Sequence, residues 1–295
     1  MPRKTAADFD PEVLVLFNAY VHGSIDRRGF LDKARKYAVG GVTAAMLLEQ
    51  LSPNFAEAQQ VSPEDKRLKT ERVTYPSPNG HAKTSGYLVR PANASGKLPG
   101  VLVVHENRGL NPHIEDIARR IALEKFMTFA PDALAPVGGY PGAEDKAREL
   151  FQTLDRPKTA EDMVAAAKYL KTRPDATPKL GVVGFCWGGG VAHTLATTMP
   201  DLAAAVPFYG SAPAPSDAVN VKAALLVHLA DNDPRVNDSW AAYEPALKEA
   251  GVSYEVHRYP GAGHGFNNDT TPRYDETAAK LAWERTVEFF NKHLR

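Results

Sequence analysis

The sequence contains a single cysteine, Cys186, among its 295 residues. One cysteine cannot form an internal disulfide, and it also excludes a zinc site built from several thiolates. An excess of charge of either sign is missing too, since 35 Lys and Arg residues balance 35 Asp and Glu residues. Without a broad basic surface, neither nucleic acid nor an anionic membrane is an expected partner.

Long hydrophobic runs are likewise missing. The most apolar stretch, residues 37–48, is shorter than the roughly 20 residues that a helix needs to cross a bilayer. We therefore predict no stable membrane insertion. With 43% hydrophobic residues the chain can still bury a large core. Its length suits one large α/β domain with an N-terminal appendage.

The first 58 residues allow two interpretations. Arg27 and Arg28 precede an apolar run rich in Gly and Ala, and the small-x-small sequence Ala56-Glu57-Ala58 follows it. That order is typical of a twin-arginine export signal and predicts a periplasmic protein. However, the arginine pair lies unusually deep in the chain, and residues 11–22 already have a helical pattern. These features support the alternative, a structural helical arm on a cytoplasmic protein, and the sequence leaves both interpretations open.

From residue 72 onward, short apolar runs alternate with longer amphipathic segments, which is typical of a mostly parallel sheet covered by helices. The predicted strands are residues 72–75, 85–89, 100–105, 127–130, 180–185, 204–209, 224–229 and 254–259. The predicted helices are residues 114–124, 143–154, 160–171, 189–199, 239–250 and 274–294. We therefore predict an α/β catalytic domain over residues 70–295, joined by a linker, residues 59–69, to the arm or signal of residues 1–58.

A predicted strand-to-helix turn carries the cysteine. Its sequence, Gly184-Phe185-Cys186-Trp187-Gly188, has the Gly-x-Cys-x-Gly pattern of a nucleophile elbow, with sulfur in place of a serine oxygen. Small residues are needed at Gly184 and Gly188, because the sharp turn presses the neighbouring backbone against the strand and the helix. The helix dipole and the free amides at the start of the helix favour a thiolate. A lone cysteine after a strand can also be an inert core residue, but the surrounding glycines favour a nucleophile.

A thiol nucleophile needs a base and an orienting acid, and in the elbow fold these follow in the order nucleophile, acid, histidine. His264 is the candidate base, because it lies in a glycine-rich loop after the last predicted strand. Asp231 and Asp233 both follow the predicted strand 224–229. We favour Asp233 as the acid, since Asp231 comes straight off the strand and can instead cap the turn. The histidines in helices, in strands or near linkers and ends are expected to pack or to face solvent: His22, His81, His193, His228, His257 and His293.

The loop after the predicted strand 100–105 is where this fold places a second oxyanion donor. It contains Glu106 and Asn107. We therefore predict an oxyanion hole formed by the backbone amides of Asn107 and Trp187. Glu106 would lie beside the nucleophile, although a glutamate at a strand end is also typical of a plain surface residue.

Together these segments resemble the dienelactone hydrolase family over roughly residues 70–295. The shared motifs are Gly-Phe-Cys-x-Gly-Gly, His-Glu-x-x-Gly, Asp-x-x-Val and Gly-x-x-His-Gly-Phe. The resemblance implies an α/β-hydrolase fold with a triad of Cys186, Asp233 and His264. It also implies that Glu106 pairs with the resting thiol and helps to deprotonate it when substrate binds. The predicted activity is hydrolysis of a small lactone or carboxylic ester without a cofactor.

Two segments depart from that family. Members that hydrolyse dienelactone hold the substrate carboxylate with arginines, but the corresponding segments here, residues 131–136 and 264–268, contain none. Arg108 or Arg273 could replace them, although a structural salt bridge is equally expected for each. We therefore predict a small lactone or ester other than dienelactone as the substrate. The candidate substrate-binding residues are Arg108, Tyr140 and Phe266.

Three alternatives stay open. The same fold could serve a broader carboxylesterase or peptidase, with a larger acyl pocket lined by aromatic residues: Trp187, Tyr209, Phe208, Phe266 and Tyr140. A non-catalytic binding protein could keep the fold as well, although the complete set of catalytic segments argues against it. A metalloenzyme is disfavoured, because the adjacent His105 and Glu106 point to opposite faces of a strand and no His-x-x-x-His pattern occurs. No metal is therefore predicted, and a homo-oligomer is neither predicted nor excluded.

Overall fold

The computed structural model describes residues 4–295, which contain one eight-stranded sheet. Its strands are β1 (Leu68–Ser77), β2 (Ala82–Pro91), β3 (Leu98–Val104), β4 (Met127–Pro131), β5 (Ala176–Phe185), β6 (Ala204–Phe208), β7 (Ala224–Asn232) and β8 (Tyr254–Gly263). They lie in the order β1-β2-β4-β3-β5-β6-β7-β8. Strand β2 pairs antiparallel with β1 and β4, whereas the pairs among β3 to β8 are parallel. The mostly parallel sheet confirms the predicted α/β class.

Ten α-helices accompany the sheet within the described residues. They are α1 (Pro11–Val21), α2 (Arg27–Ala34), α3 (Ala44–Leu51), α4 (Phe55–Ala58), α5 (Pro112–Leu123), α6 (Glu144–Gln152), α7 (Arg156–Lys171), α8 (Trp187–Thr198), α9 (Pro234–Glu249) and α10 (Glu276–Leu294). Local sequence explains several helix starts. The side chains of Asn111, Asp155 and Asp275 accept a backbone N–H from the first turn of α5, α7 and α10. Each cap satisfies an amide that no helix carbonyl reaches.

The core fills both faces of the sheet. Successive residues of a strand point to opposite faces. On β3, Leu102 and Val104 join one buried cluster, while Val101 and Val103 join the other. Helices α7, α8 and α9 contribute to the first cluster, and α5 and α10 contribute to the second. Because both faces of β3 are buried, its sequence is continuously apolar and shows no alternation of polarity.

Several elements begin earlier than predicted, and β5 and α9 are two examples. Strand β5 begins at Ala176 rather than at residue 180, because residues 177–179 include a proline and a lysine and are partly exposed. Helix α9 begins at Pro234 rather than at residue 239. Proline suits the first turn of a helix, where its missing N–H would have had no partner. In both places the hydrophobic pattern of the sequence starts only after the first residues of the element.

Residues 4–58 form an arm of four helices with a small core of its own. Phe17, Tyr20 and Phe30 are buried in this core, and their ring centroids lie within 6.4 Å of one another. Arg27, from the arginine pair that suggested an export signal, forms an ion pair of 2.9 Å with Asp145 on α6. Within the described residues, no helix has both the length and the apolar character required to span a membrane.

The segment predicted as a linker is held against α5. The backbone amides of Gln60 and Val61 donate to the Asp116 carboxylate at 3.1 and 2.8 Å. The buried Arg119 donates from Nε to the carbonyl of Val61 at 2.8 Å. Strand β1 already begins at Leu68, inside the predicted linker. The segment is an ordered connection, which its proline and charge content did not indicate.

Candidate active site

Cys186 lies on the turn between β5 and α8. Its φ is 55°, a left-handed conformation that strains any residue with a Cβ atom and that recurs at functional turns. A Cβ atom on Gly184 would lie 1.9 Å from the Gly188 carbonyl oxygen, and one on Gly188 would lie 2.3 Å from that of Val104. Cys186 is the N-cap residue of α8, so the amide of Trp187 belongs to the first turn, which has no intrahelical acceptors. The sulfur therefore lies at the positive end of the helix.

The close approach of Gly184 to the Gly188 carbonyl oxygen predicts that Gly184→Ala destabilises the protein by about 3 kcal/mol or more. The added methyl group would overlap backbone that cannot move aside. Gly190→Ala is the matched control, since a Cβ atom there would meet its nearest neighbour, the Ser211 carbonyl oxygen, at an ordinary 3.6 Å. Urea unfolding of both variants measures the difference. Wild-type stability of Gly184→Ala would contradict the tight turn.

The candidate acid and base meet at the carboxyl ends of β7 and β8. His264 Nδ1 and Asp233 Oδ2 lie 2.5 Å apart, and both side chains are buried. Asp231, the alternative acid, is exposed and accepts the backbone amide of Gly261 at 3.3 Å. The structure therefore places Asp233 against the imidazole and ties Asp231 to β8.

The thiol and the imidazole shift each other's protonation. Burial alone would raise the pKa of the Cys186 thiol, but His264 and His22 lower it to about 6. Burial disfavours protonation of His264, yet Cys186 and Asp233 raise the pKa of its imidazole to about 9. Between these two values the site holds a thiolate and an imidazolium. The thiolate is the reactive form of a cysteine nucleophile.

His22 is a residue of this site that sequence reasoning missed. Its Nε2 lies 3.7 Å from Cys186 Sγ and 3.3 Å from His264 Nε2. Its Nδ1 lies 2.9 Å from the backbone carbonyl oxygen of Asn18 on α1. The expectation that His22 only packs or faces solvent is wrong, because its ring contacts the candidate nucleophile and base. No spacing in the sequence could reveal it, because 164 residues separate His22 from Cys186.

The loop after β3 holds the arm in place. Asn107 Nδ2 donates to the carbonyl of Val21 at 2.9 Å, and Arg108 Nη1 donates to the same oxygen at 3.3 Å. Arg108 is buried, and its Nε lies 3.6 Å from a carboxylate oxygen of Glu144. These contacts correct the prediction that Arg108 binds substrate, because its guanidinium is engaged by the arm and by Glu144. The backbone amide of Asn107, the predicted oxyanion donor, belongs to this same loop.

Glu106 lies in that loop as well, but its carboxylate points to another partner. Asn268 Nδ2 donates to Glu106 Oε2 at 2.9 Å. The thiol has His22 as its hydrogen-bond partner instead. The resting pair of Glu106 and Cys186 that the family resemblance implies is thus not formed here, because Asn268 holds the carboxylate and His22 lies against the sulfur.

A cavity of about 290 Å³ opens beside Cys186. Trp187 and Phe151 contribute apolar surface, and three arginines from α6, α7 and α9 also line it: Arg148, Arg156 and Arg235. Arg148 is buried, its guanidinium lies 4.7 Å from the ring centroid of Tyr20, and its Nε has no hydrogen-bond partner among the described residues. Several guanidinium groups around one small cavity indicate recognition of an anionic group.

Tyr140 and Phe266, the other predicted substrate-binding residues, do not line this cavity. Tyr140 donates from its hydroxyl to Glu144 Oε1 at 2.9 Å. Phe266 is fully buried, with its ring centroid 5.4 Å from that of Tyr209. Both predictions are corrected, because the Phe266 ring is buried in the core and the half-buried Tyr140 is engaged by Glu144. Among the aromatic residues expected around an acyl pocket, Trp187 is the one that lines the cavity.

A mostly parallel sheet with a nucleophile elbow after β5, an acid after β7 and a histidine after β8 defines an α/β-hydrolase. Within that class, the chain belongs to the dienelactone hydrolase family, whose family model matches residues 84–294. A second model, described as YqhI-like, matches residues 1–40. Membership in the family makes the protein a hydrolase of the carboxylic ester class.

Individual relatives cover different parts of the chain. A protein of Escherichia coli named "Putative hydrolase fragment YghX" is 57% identical over 114 residues, which cover 39% of this chain and 97% of that protein. A "Putative carboxymethylenebutenolidase" of Synechocystis is 31% identical over 77% of this chain and 98% of its own length. The crystal structure of a "Putative Dienelactone Hydrolase" from Klebsiella pneumoniae has a TM-score of 0.67 at 28% identity, covering 77% of this chain and 99% of that one.

Proposed function

We propose that the protein hydrolyses small, negatively charged carboxylic esters or lactones, with Cys186 as the nucleophile. The observation that carries the proposal is the cavity of about 290 Å³ that Cys186 lines together with three arginines. This volume lies near the lower end of the range for small-molecule sites. Arg148 lines this cavity, and its positive charge would favour a substrate carboxylate there.

In the proposed reaction, the Cys186 thiolate attacks the substrate carbonyl carbon and forms a tetrahedral oxyanion. The backbone amides of Trp187 and Asn107 donate hydrogen bonds to that oxygen. As the C–O bond breaks, the His264 imidazolium gives its proton to the leaving oxygen. His264, now neutral and oriented by Asp233, then takes a proton from the water that hydrolyses the thioester, and the thiolate is restored.

Glu106 enters this scheme only after a rearrangement. Its carboxylate would have to leave Asn268, and His22 would have to leave the sulfur, before Glu106 and the thiol could pair. His264 already stabilises a resting thiolate. In our proposal the ionisation of Cys186 therefore depends on the imidazole of His264 and not on Glu106.

A substrate panel tests the function. We expect the highest kcat/KM for short aryl esters and small lactones that carry a carboxylate, lower values for their neutral analogues, and little hydrolysis of long acyl chains, which exceed the cavity. p-Nitrophenyl esters of increasing chain length, run beside carboxylated lactones, separate these classes. A preference for long acyl chains would favour the broader esterase instead.

The role of the cavity arginines predicts a split between charged and neutral substrates. Arg148→Gln should raise KM for a carboxylated substrate by about tenfold or more, since a charge-assisted hydrogen bond contributes about 1.5–3 kcal/mol. KM for the neutral analogue should change little, which controls for any effect on the packing against Tyr20. Arg258→Gln, an exposed arginine on β8, is the matched control. An equal rise in KM for both substrates would contradict recognition of the substrate carboxylate by Arg148.

A further inference from the structure

His22, Cys186 and His264 form a group of three side chains at one point of the fold. One ligand atom from each, the Cys186 sulfur and a ring nitrogen from each histidine, lies within 4.8 Å of the other two. His22 comes from the arm, Cys186 from the elbow and His264 from the loop after β8. The group therefore exists only when the arm is docked on the sheet domain.

The outer nitrogens of both rings are already engaged. His22 Nδ1 lies 2.9 Å from the Asn18 carbonyl oxygen, and His264 Nδ1 lies 2.5 Å from the Asp233 carboxylate. Both partners are acceptors, so each ring carries a proton on Nδ1. In a neutral ring the Nε2 atom then has a free lone pair. The two Nε2 atoms nevertheless lie only 3.3 Å apart, so a cation must separate them.

That cation can be a proton or a metal ion, and the spacing fits a metal. Tetrahedral Zn²⁺, with Zn–N of about 2.0–2.1 Å and Zn–S of about 2.3 Å, places its ligands about 3.3 Å apart for N···N and about 3.6 Å apart for S···N. Two of the three separations are close to these values, at 3.3 Å between the Nε2 atoms and 3.7 Å from His22 Nε2 to Cys186 Sγ. The third pair, Cys186 Sγ and a ring nitrogen of His264, lies within 4.8 Å.

The surroundings also match those of zinc sites. Metal-bound histidines usually donate their second N–H to a carboxylate or to a backbone carbonyl, and His264 and His22 have one partner of each kind. Two imidazoles and a thiolate form a donor set that favours Zn²⁺ over Mg²⁺ or Ca²⁺. The fourth position would open to the cavity, which His22 and Cys186 both line.

We propose that His22, Cys186 and His264 form a binding site for Zn²⁺ or a similar borderline-soft divalent cation, and that the metal holds the hydrolase inactive. Binding releases the proton on His264 Nε2: Zn–S and Zn–N bonds form, the Nε2–H bond breaks, and the proton leaves to solvent. The metal occupies the thiolate lone pair and the base at once. Cys186 then cannot attack a carbonyl, and a chelator restores activity.

Metal binding can be measured without any substrate. We expect the metal-free full chain to bind one equivalent of Zn²⁺ by calorimetry, and Co²⁺ to give visible bands of a tetrahedral centre with a near-ultraviolet thiolate-to-cobalt band. His22→Gln should lower the affinity by more than about 100-fold, because loss of a direct ligand costs more than the roughly 10–100-fold that loss of a ligand's outer partner costs. His257→Gln, on β8, should bind as wild type does.

Two results would overturn the site: no thiolate-to-cobalt band in the wild type, or equal affinity in wild type and His22→Gln. If His22→Gln loosens the arm, X-ray absorption of the Zn²⁺-loaded wild type decides, because fewer than two imidazoles with one sulfur would exclude His22. The inhibitory role rests on the proposed hydrolase, and it fails if saturating Zn²⁺ leaves hydrolysis unchanged. The spectra report on the metal site even if the hydrolase proposal is wrong.

Discussion

Replacing Cys186 by alanine is expected to abolish hydrolysis and to leave the fold intact. Loss of the nucleophile in catalytic triads lowers kcat by on the order of 10⁶-fold, and the oxyanion hole and substrate binding supply what remains. The variant should fold, because alanine keeps the Cβ atom and adopts the same φ of 55° under similar strain. Only the sulfur, on a residue that is 8% exposed, is removed. Initial rates on the best small ester and a thermal unfolding curve measure both effects.

Ser211→Ala is the control for this experiment. Ser211 also lines the cavity, and its hydroxyl accepts a hydrogen bond from Arg235 Nη1 at 2.7 Å. It is therefore the other side chain of this cavity that could attack a carbonyl. We expect the control to keep most of the activity. If activity survives in Cys186→Ala and disappears in Ser211→Ala, the nucleophile is Ser211 and not Cys186.

The elbow could be predicted because part of its constraint is local. A Cβ atom on Gly184 would meet the backbone of Gly188 and Gly189 within the same turn, so the sequence pattern carries this constraint directly, whereas the demand at Gly188 comes from Val104 on the neighbouring β3. The position of His264 after β8 follows from the order of elements in this fold. The choice between Asp231 and Asp233 is also nearly local, because Asp233 directly follows β7 and can turn toward the neighbouring loop, whereas Asp231 lies within the strand.

The residues that were missed depend on long-range packing. His22 reaches the sulfur because the arm's core docks on the loop after β3, where Asn107 and Arg108 donate to Val21. The prediction for Arg108 failed for the same reason, because its guanidinium donates to the Val21 carbonyl of the arm. The cavity arginines come from three separate helices, and no single stretch of sequence brings them together. Their positions follow from how the helices pack.

Asp233→Asn should lower kcat by about 10⁴-fold with little change in stability, as the corresponding change does in serine-type triads. The Asp233 carboxylate contributes to the raised pKa of His264. An amide cannot balance the charge of an imidazolium, and its NH₂ group favours the tautomer that leaves Nδ1 without a proton. The thiolate then loses its counterion and the leaving oxygen loses its proton donor. Pre-steady-state kinetics should therefore show that acylation slows.

Asp231→Asn is the matched control, because it makes the same chemical change two residues away. Asp231 is exposed, and its carboxylate accepts a long hydrogen bond of 3.3 Å from the Gly261 amide. Exposed substitutions of this kind change free energies by about 0.5 kcal/mol, so its kcat should stay within about twofold of wild type. An equal loss of kcat in both variants would mean that the two carboxylates act as one electrostatic unit. A larger loss in Asp231→Asn would identify Asp231 as the acid that orients His264.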